Sequence, residues 1–398
     1  MNTKKSPVFQ VALLTQLNLK CQVDSLRGIL RYTKLHGPWR LYRMEGRSGE
    51  QKLLDLKRWG CSGIITGACN IKDARLIARV GVPVVVCEPT PEMRESSHPL
   101  FKYSCTQFNS YSAGKMAARY FLDRHYTRFA FVGEPHGLYW SLERGKGFKE
   151  TVEQAGGECF MYCKLTYDEQ HDWAVEQPRM RRWLKSLPKP IALFAAMDGR
   201  GSQILDACMA ENISVPDEIA VLGVDNDELI CEATFPTMSS MQTTGERNGF
   251  LIAEHLDQLM RGKRLKKRIF EGGASHVITR RSTDATMIPD AQIARALEFI
   301  WREGGHQPIH VPDVVEKIGS SRRHAEMRFK TITGRTILEE ILRVRLERVC
   351  TLLCDTKLSI SEITYECGFE RESYLARLFK LRFDCTMSTY LSRMNNRM

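Results

Sequence analysis

The sequence predicts a two-lobed, doubly wound α/β domain followed by an all-α domain that carries two helix-turn-helix units. Three observations carry this prediction. Over residues 8–284, short β-branched apolar runs alternate with segments of helical apolar spacing, as expected of parallel strands buried on both faces. That alternation is too long for one open sheet, so it divides into two lobes. Over Val311–Arg393 one small pattern occurs twice. Val314-Val315-Glu316-Lys317-Ile318 leads to Gly319 and a basic segment ending in Phe329-Lys330. Ile363-Thr364-Tyr365-Glu366-Cys367 leads to Gly368 and a segment ending in Phe379-Lys380. A short helix, a glycine turn and a second helix bearing exposed arginines is a helix-turn-helix pattern.

In chain order, Val8–Leu14 reads as the first strand and Asp24–Leu35 as a helix capped by Asp24. Strands follow at Arg40–Arg43, Gly63–Thr66, Pro83–Cys87, Arg128–Val132, Cys159–Cys163, Ile191–Ala196 and Ile219–Val224. The helices between and after them are Gln51–Trp59, Lys72–Val80, Tyr111–Arg124, Leu142–Ala155, Asp172–Leu187, Gly199–Glu211 and Thr244–Met260. Residues 285–291, broken by Pro289, form the expected linker between a sensing domain (1–284) and a helical domain (292–398). The two units of the latter fall at about 311–331 and 359–381. Between them, Leu338, Ile341, Leu342, Leu346, Val349, Leu352 and Leu353 mark a helix over Thr336–Asp355. At ~1.5 Å per residue it is a rod about 27 Å long, which sets two flanking helices roughly one DNA turn apart.

The chain has 398 residues, 43% of them hydrophobic and 26% charged, and a net charge of +11. These are globular values, and the positive balance favours a polyanionic partner. Most of the excess lies outside the helical domain, so DNA contact there depends on where the arginines stand. The basic run Arg261–Arg268 reads as a solvated loop or, alternatively, as a segment that helps hold the phosphate backbone. The 13 cysteines are scattered without a CxxC pair, as buried thiols of a reducing compartment are. The run after Lys4 and Lys5 is short and holds Gln10, which suits a strand rather than a signal peptide. No run approaches the ~20 apolar residues of a membrane span, so a cytoplasmic protein without a membrane partner is expected. Gly145-Lys146-Gly147 is not a dinucleotide loop, Gly114-Lys115 is not a P-loop, and Asp225-Asn226-Asp227 lacks the rest of a calcium loop. No catalytic residue, metal site or cofactor is expected.

Ser359-Ile360-Ser361-Glu362-Ile363, Gly368-Phe369, Tyr374-Leu375 and Leu378-Phe379-Lys380 resemble the AraC-type DNA-binding domain. The match spans roughly the last 110 residues. It departs from the family at Met387, where proline is usual, and at Ala325, where leucine is usual. Residues 8–284 resemble the LacI-type sugar-sensing domain, itself periplasmic-binding-protein-like, through Asn109–Gly114, Phe129–Gly133, Arg144–Phe148, Val215–Gly223 and Arg280–Thr283. The combination implies a transcriptional regulator, more often an activator than a repressor, that answers to a sugar, foremost a pentose such as xylose. It also implies a DNA operator, RNA polymerase and a second copy of the chain as partners. A non-sugar effector is the alternative, because fold alone does not set the ligand.

Ligands of doubly wound sheets bind beyond the carboxyl ends of the strands. There Arg144, Asp198 and Asp225 offer hydrogen bonds to sugar hydroxyls, and Tyr139 or Trp140 offers an aromatic face. The resemblance assigns the same roles to Arg144, Asp198 and Asp225 and adds Asn109. Ser321 is the expected N-cap of the first recognition helix. The resemblance places Arg323, Glu326 and Met327 toward bases, and Glu372, Ser373 and Arg377 outward on the second helix. Arg322, Arg328 and Lys330 are left to phosphates or to pairing with Glu326.

Overall fold

The computed structural model describes residues 8–15, 19–43, 55–134, 138–162, 173–285, 287–288, 290–304, 307–356 and 358–396. Its first elements are β1 (Phe9–Leu14), α1 (Lys20–His36), β2 (Trp39–Arg43), β3 (Gly63–Thr66), α2 (Ile71–Val80), β4 (Val84–Val86), β5 (Ser104–Phe108), α3 (Ser110–Leu122), β6 (Arg128–Val132), α4 (Tyr139–Gln154) and β7 (Glu158–Met161). Then come α5 (Trp173–Ser186), β8 (Ile191–Ala195), α6 (Asp198–Ala210), β9 (Ile219–Val224), α7 (Glu228–Ala233), β10 (Ser239–Thr243), α8 (Gly245–Met260), β11 (Ile269–Gly272) and β12 (Ala274–Ile278). They build two six-stranded sheets, ordered β11-β5-β4-β3-β1-β2 and β12-β10-β9-β8-β6-β7. Each has the parallel pairing that the continuous apolar runs require, for example Ala130 beside Leu193 and Val11 beside Gly63.

The chain forms two compact units. Among the described residues, one holds those up to Asn109 with Thr243–Gly273, and the other holds those from Ser110 to Gln242 and from Ala274 onward. The second sheet is filled by large side chains. Phe148 of α4 packs 6.1 Å from Phe129 of β6 and 5.2 Å from Phe194 of β8, ring centre to ring centre, all three fully buried. Each such burial stabilises the lobe by roughly 1.5–3 kcal/mol.

Several expectations need correction. The helix placed at Asp24 begins at Lys20, so Asp24 does not cap it. Asp24 instead lies one turn inside, buried between Lys20 Nζ at 2.5 Å and Arg27 Nη1 at 3.0 Å. The expected helix Gln51–Trp59 falls partly outside the described residues. Strands β5, β10, β11 and β12 and helix α7 have no counterpart in the sequence reading. Hydroxyls hide two of them. Ser104 of β5 is buried against His255 Nε2 at 2.9 Å, and Ser239 of β10 against Thr283 Oγ1 at 2.7 Å. Paired in this way, serine sits in a buried strand at little cost, but it breaks the apolar run that marks one.

The remaining helices are α9 (Ala291–Glu303), α10 (Val311–Ile318), α11 (Arg322–Thr333), α12 (Ile337–Asp355), α13 (Ile360–Glu366), α14 (Glu372–Phe383) and α15 (Met387–Asn396). Asp290 caps α9, accepting from the amides of Gln292 and Ile293 at 3.1 and 3.2 Å. Thr336 and Glu339 cap α12 reciprocally, at 3.2 and 2.7 Å. The rod α12 serves both units. Ile337, Ile341 and Val344 join the core around Ile318, Ala325 and Phe329, while Leu346, Val349, Leu352 and Leu353 join that around Ile363, Leu375 and Phe379. At both departures from the family pattern the residue is buried: Ala325 fully, and Met387 behind Thr386, whose Oγ1 accepts from the Thr389 amide at 3.0 Å.

Candidate functional site

Three predicted ligand contacts come together at the carboxyl ends of β6, β8 and β9. Close helix packing sets the first. A Cβ on Gly114 of α3 would lie 2.1 Å from the Arg144 carbonyl, and one on Gly147 of α4 would lie 2.1 Å from that of Tyr111. Only two glycines let α3 and α4 approach so closely. That packing buries Arg144, whose Nη1 donates to the carbonyl of Ala196 just beyond β8. The half-buried Trp140 lies 4.8 Å from the same guanidinium, and Tyr139 stands exposed beside it. Asn109 belongs to the other unit, where its amide donates to Gly272 O at 2.9 Å.

Asp198 opens α6 and is buried. Its carboxylate accepts from the Asp227 amide at 2.7 Å and from Ser240 Oγ at 2.5 Å, and the bare face of Gly223 makes room for it. Burial, then the charge of Asp225, pushes Asp198 up to about 7. The Cys231 thiol is a third partner, and since a carboxylate offers about four lone pairs, three bonds to protein leave capacity for one hydroxyl. Asp225 and Asn226 both hold left-handed backbone, with φ of 104° and 48°, a strained conformation found most often at functional sites. Asn226 is pinned on three sides, by Ser240 Oγ, Gln242 Oε1 and Arg280 Nη1 at 2.9–3.0 Å. The Arg280–Thr283 motif thus braces the loop after β9: Ser282 Oγ also donates to Val221 O at 2.6 Å.

Sequence reasoning missed Arg200. It is buried in the first turn of α6, 2.8 Å from Glu176 and 4.0 Å from Glu134, whose carboxyl is raised by burial. Its partners are distant in sequence and no motif marks them.

The second candidate surface is the outer face of the helical domain. Gly319 and Gly368 hold φ of 70° and 71°, the same left-handed turn in both units. Ser321 takes the N-cap position of α11, but its hydroxyl makes no capping bond. Arg322, Arg323, Glu326, Met327 and Lys330 line one open concavity together with Thr336. Arg322 Nε pairs with Glu326 at 2.9 Å. Arg328 does neither thing expected of it. Its guanidinium is turned back to Asp290 at 2.6 Å and Gln292 at 2.6 Å, tying α11 to the start of α9. On α14, Glu372, Ser373 and Arg377 are exposed, with Arg377 5.6 Å from the Tyr374 ring, while Phe379 is buried. Arg345 of α12 was also missed. It donates to Ile309 O at 2.8 Å, ahead of α10, and to Gly368 O at 2.9 Å, in the turn after α13, so one buried guanidinium locks the two units together.

Comparison with known proteins finds a match for each part of the chain. A periplasmic binding protein-like domain matches residues 118–283, and a helix-turn-helix domain matches residues 314–393. The xylose operon regulatory protein of Escherichia coli K12 is 30% identical over 337 residues, covering 84% of this chain and 85% of that protein. Its counterpart from Haemophilus influenzae is 29% identical over 326 residues, covering 81% and 83%. The solved structure of a xylose-binding transcription activator superposes with a TM-score of 0.60 at 26% identity, over 97% of this chain and 98% of that one.

Proposed function

This chain belongs to the family of the xylose operon regulatory proteins, and we propose that D-xylose is the effector to which it answers. It is a sugar-sensing, sequence-specific DNA-binding transcriptional regulator. Residues 1–284 sense, 285–291 link and 292–398 read. The sugar meets Arg144, Asp198 and Asp225 through its hydroxyls and Tyr139 or Trp140 through its C–H face, and Asn109 is a further ligand contact. Arg323, Glu326 and Met327 address base edges from the first recognition helix, and Glu372, Ser373 and Arg377 from the second. Ser321, at the N-cap position of the first recognition helix, belongs to the same DNA-facing surface, and Arg322 and Lys330 hold phosphates. The protein works in the cytoplasm as a homodimer, activates by engaging RNA polymerase, and turns over no substrate.

The observation that carries this reading is the doubled unit itself: two matching glycine turns, two exposed polar helix faces and one shared rod, on a chain whose other domain is periplasmic binding protein-like. Calorimetry of the full chain against D-xylose, D-ribose, D-glucose and adenine tests the effector. Saturable binding of D-xylose, tighter than the others, is expected. Binding of adenine alone would overturn the sugar assignment. Duplexes selected from a random pool by the sugar-loaded protein then supply the operator.

A further inference from the structure

The chain passes between its two units at Asn109–Ser110, Gln242–Thr243 and Gly273–Ala274. Two of these passages open directly into α3 and β12, and both elements lead to the DNA-reading domain. The rod α12 lies against β12. Helix α3, 13 residues or about 20 Å of rigid strut, ends beside Asp123. The Asp123 carboxylate accepts from Arg335 Nη2 at 2.6 Å and sits 3.7 Å from Arg343 Nη1. Arg335 precedes α12 and Arg343 lies on it. Next to this pair the Arg124 guanidinium is 4.9 Å from the Trp301 ring, whose Nε1 donates to Glu340 at 2.8 Å.

The seam is polar. Among the described residues, the reader's first core takes its side chains from Ile288 onward and none from the sensing lobe. The reader is also internally paired without Asp123. Arg343 meets Glu340 and Glu347 at 2.6 Å each, and Arg335 reaches Glu340 at 3.4 Å. Asp123 therefore bears on where the reader sits on the lobe rather than on whether it folds, beside Arg124 on Trp301 and the rod against β12. Polar contacts between domains are the kind that dock and release.

We infer that Asp123 is the positioning residue that couples effector binding to DNA reading, by holding Arg335 and Arg343 at the end of the strut that starts at a crossing between the units. The inference rests on the sugar-responsive reading above. A coupling of this kind requires that the contact differ between effector-bound and effector-free states, and couplings of this type are typically about 5-fold to 150-fold.

The test measures operator affinity of the full chain by fluorescence anisotropy, with and without saturating D-xylose. Wild type gives a ratio of at least about five. Asp123→Asn and, separately, Arg335→Ala bring that ratio to within about two-fold of one, while Asp123→Glu retains it and calorimetric D-xylose affinity stays unchanged in all three. A wild-type ratio in either Asp123→Asn or Arg335→Ala overturns the inference, as does a loss of D-xylose affinity that matches the loss of ratio. Arg335, one-third exposed, tolerates truncation, so the second variant holds if the first misfolds. A wild-type chain whose operator affinity ignored every sugar would instead sink the functional reading.

Discussion

Asp198 and Arg323 show two ways in which a charged residue serves a site. Asp198 is buried, and its neutral form is favoured in the fold, with burial and Asp225 pushing it up to about 7. The folded chain then binds more protons here than the unfolded chain between about pH 4 and pH 7, so this group's contribution to stability falls as pH rises through that window. Asp198→Asn keeps the side chain's shape and removes its titration. Urea melts across that range are expected to show a flatter pH slope in the variant; an unaltered slope would assign the titration elsewhere. Arg323 is exposed on the face with Glu326 and Met327. Arg323→Ala is expected to cost ~1–3 kcal/mol at the operator and relax one base position. Competition binding reads this directly, and equal losses on operator and random DNA would assign Arg323 to phosphate.

At the scale of elements, the two glycine turns are alike in backbone and different in surroundings. Alanine at either position carries a left-handed penalty of about 1–2 kcal/mol. Around Gly319 nothing lies within 4 Å of an added Cβ, whereas at Gly368 it would meet Pro308 at 3.2 Å and Arg345 Cζ at 3.3 Å. Urea unfolding is expected to rank Gly368→Ala as the more damaging of the two. Arg345→Met is expected to cost roughly 2–4 kcal/mol, because it strips a charged donor from two carbonyls. Helices and continuous apolar strands were legible in the sequence because one residue type repeats at one period. The rod could be read from Leu338 to Leu353 for that reason. The serine-bearing strands β5 and β10 were not, since their burial depends on partners far away, such as His255 and Thr283. The start of α1 was misplaced because a buried ion-paired aspartate and a capping aspartate look the same in sequence.

For the whole molecule, the order of domains, the doubled unit and the strand-end location of Arg144, Asp198 and Asp225 were all readable from motifs and periodicity. The contacts that join the parts were not: Arg200 with Glu176, Arg328 with Asp290, Arg345 with two carbonyls, and Asp123 with Arg335. Each links single residues across a long sequence separation, and only the folded chain brings them together. The claim on which the account turns is that one chain reads two successive major grooves under sugar control. Guanine-methylation protection on the selected operator, at matched protein concentration with and without D-xylose, tests it most directly. Two protected patches about ten base pairs apart, appearing at several-fold lower protein concentration when the sugar is present, are expected. A single patch, or two patches indifferent to sugar, would contradict it.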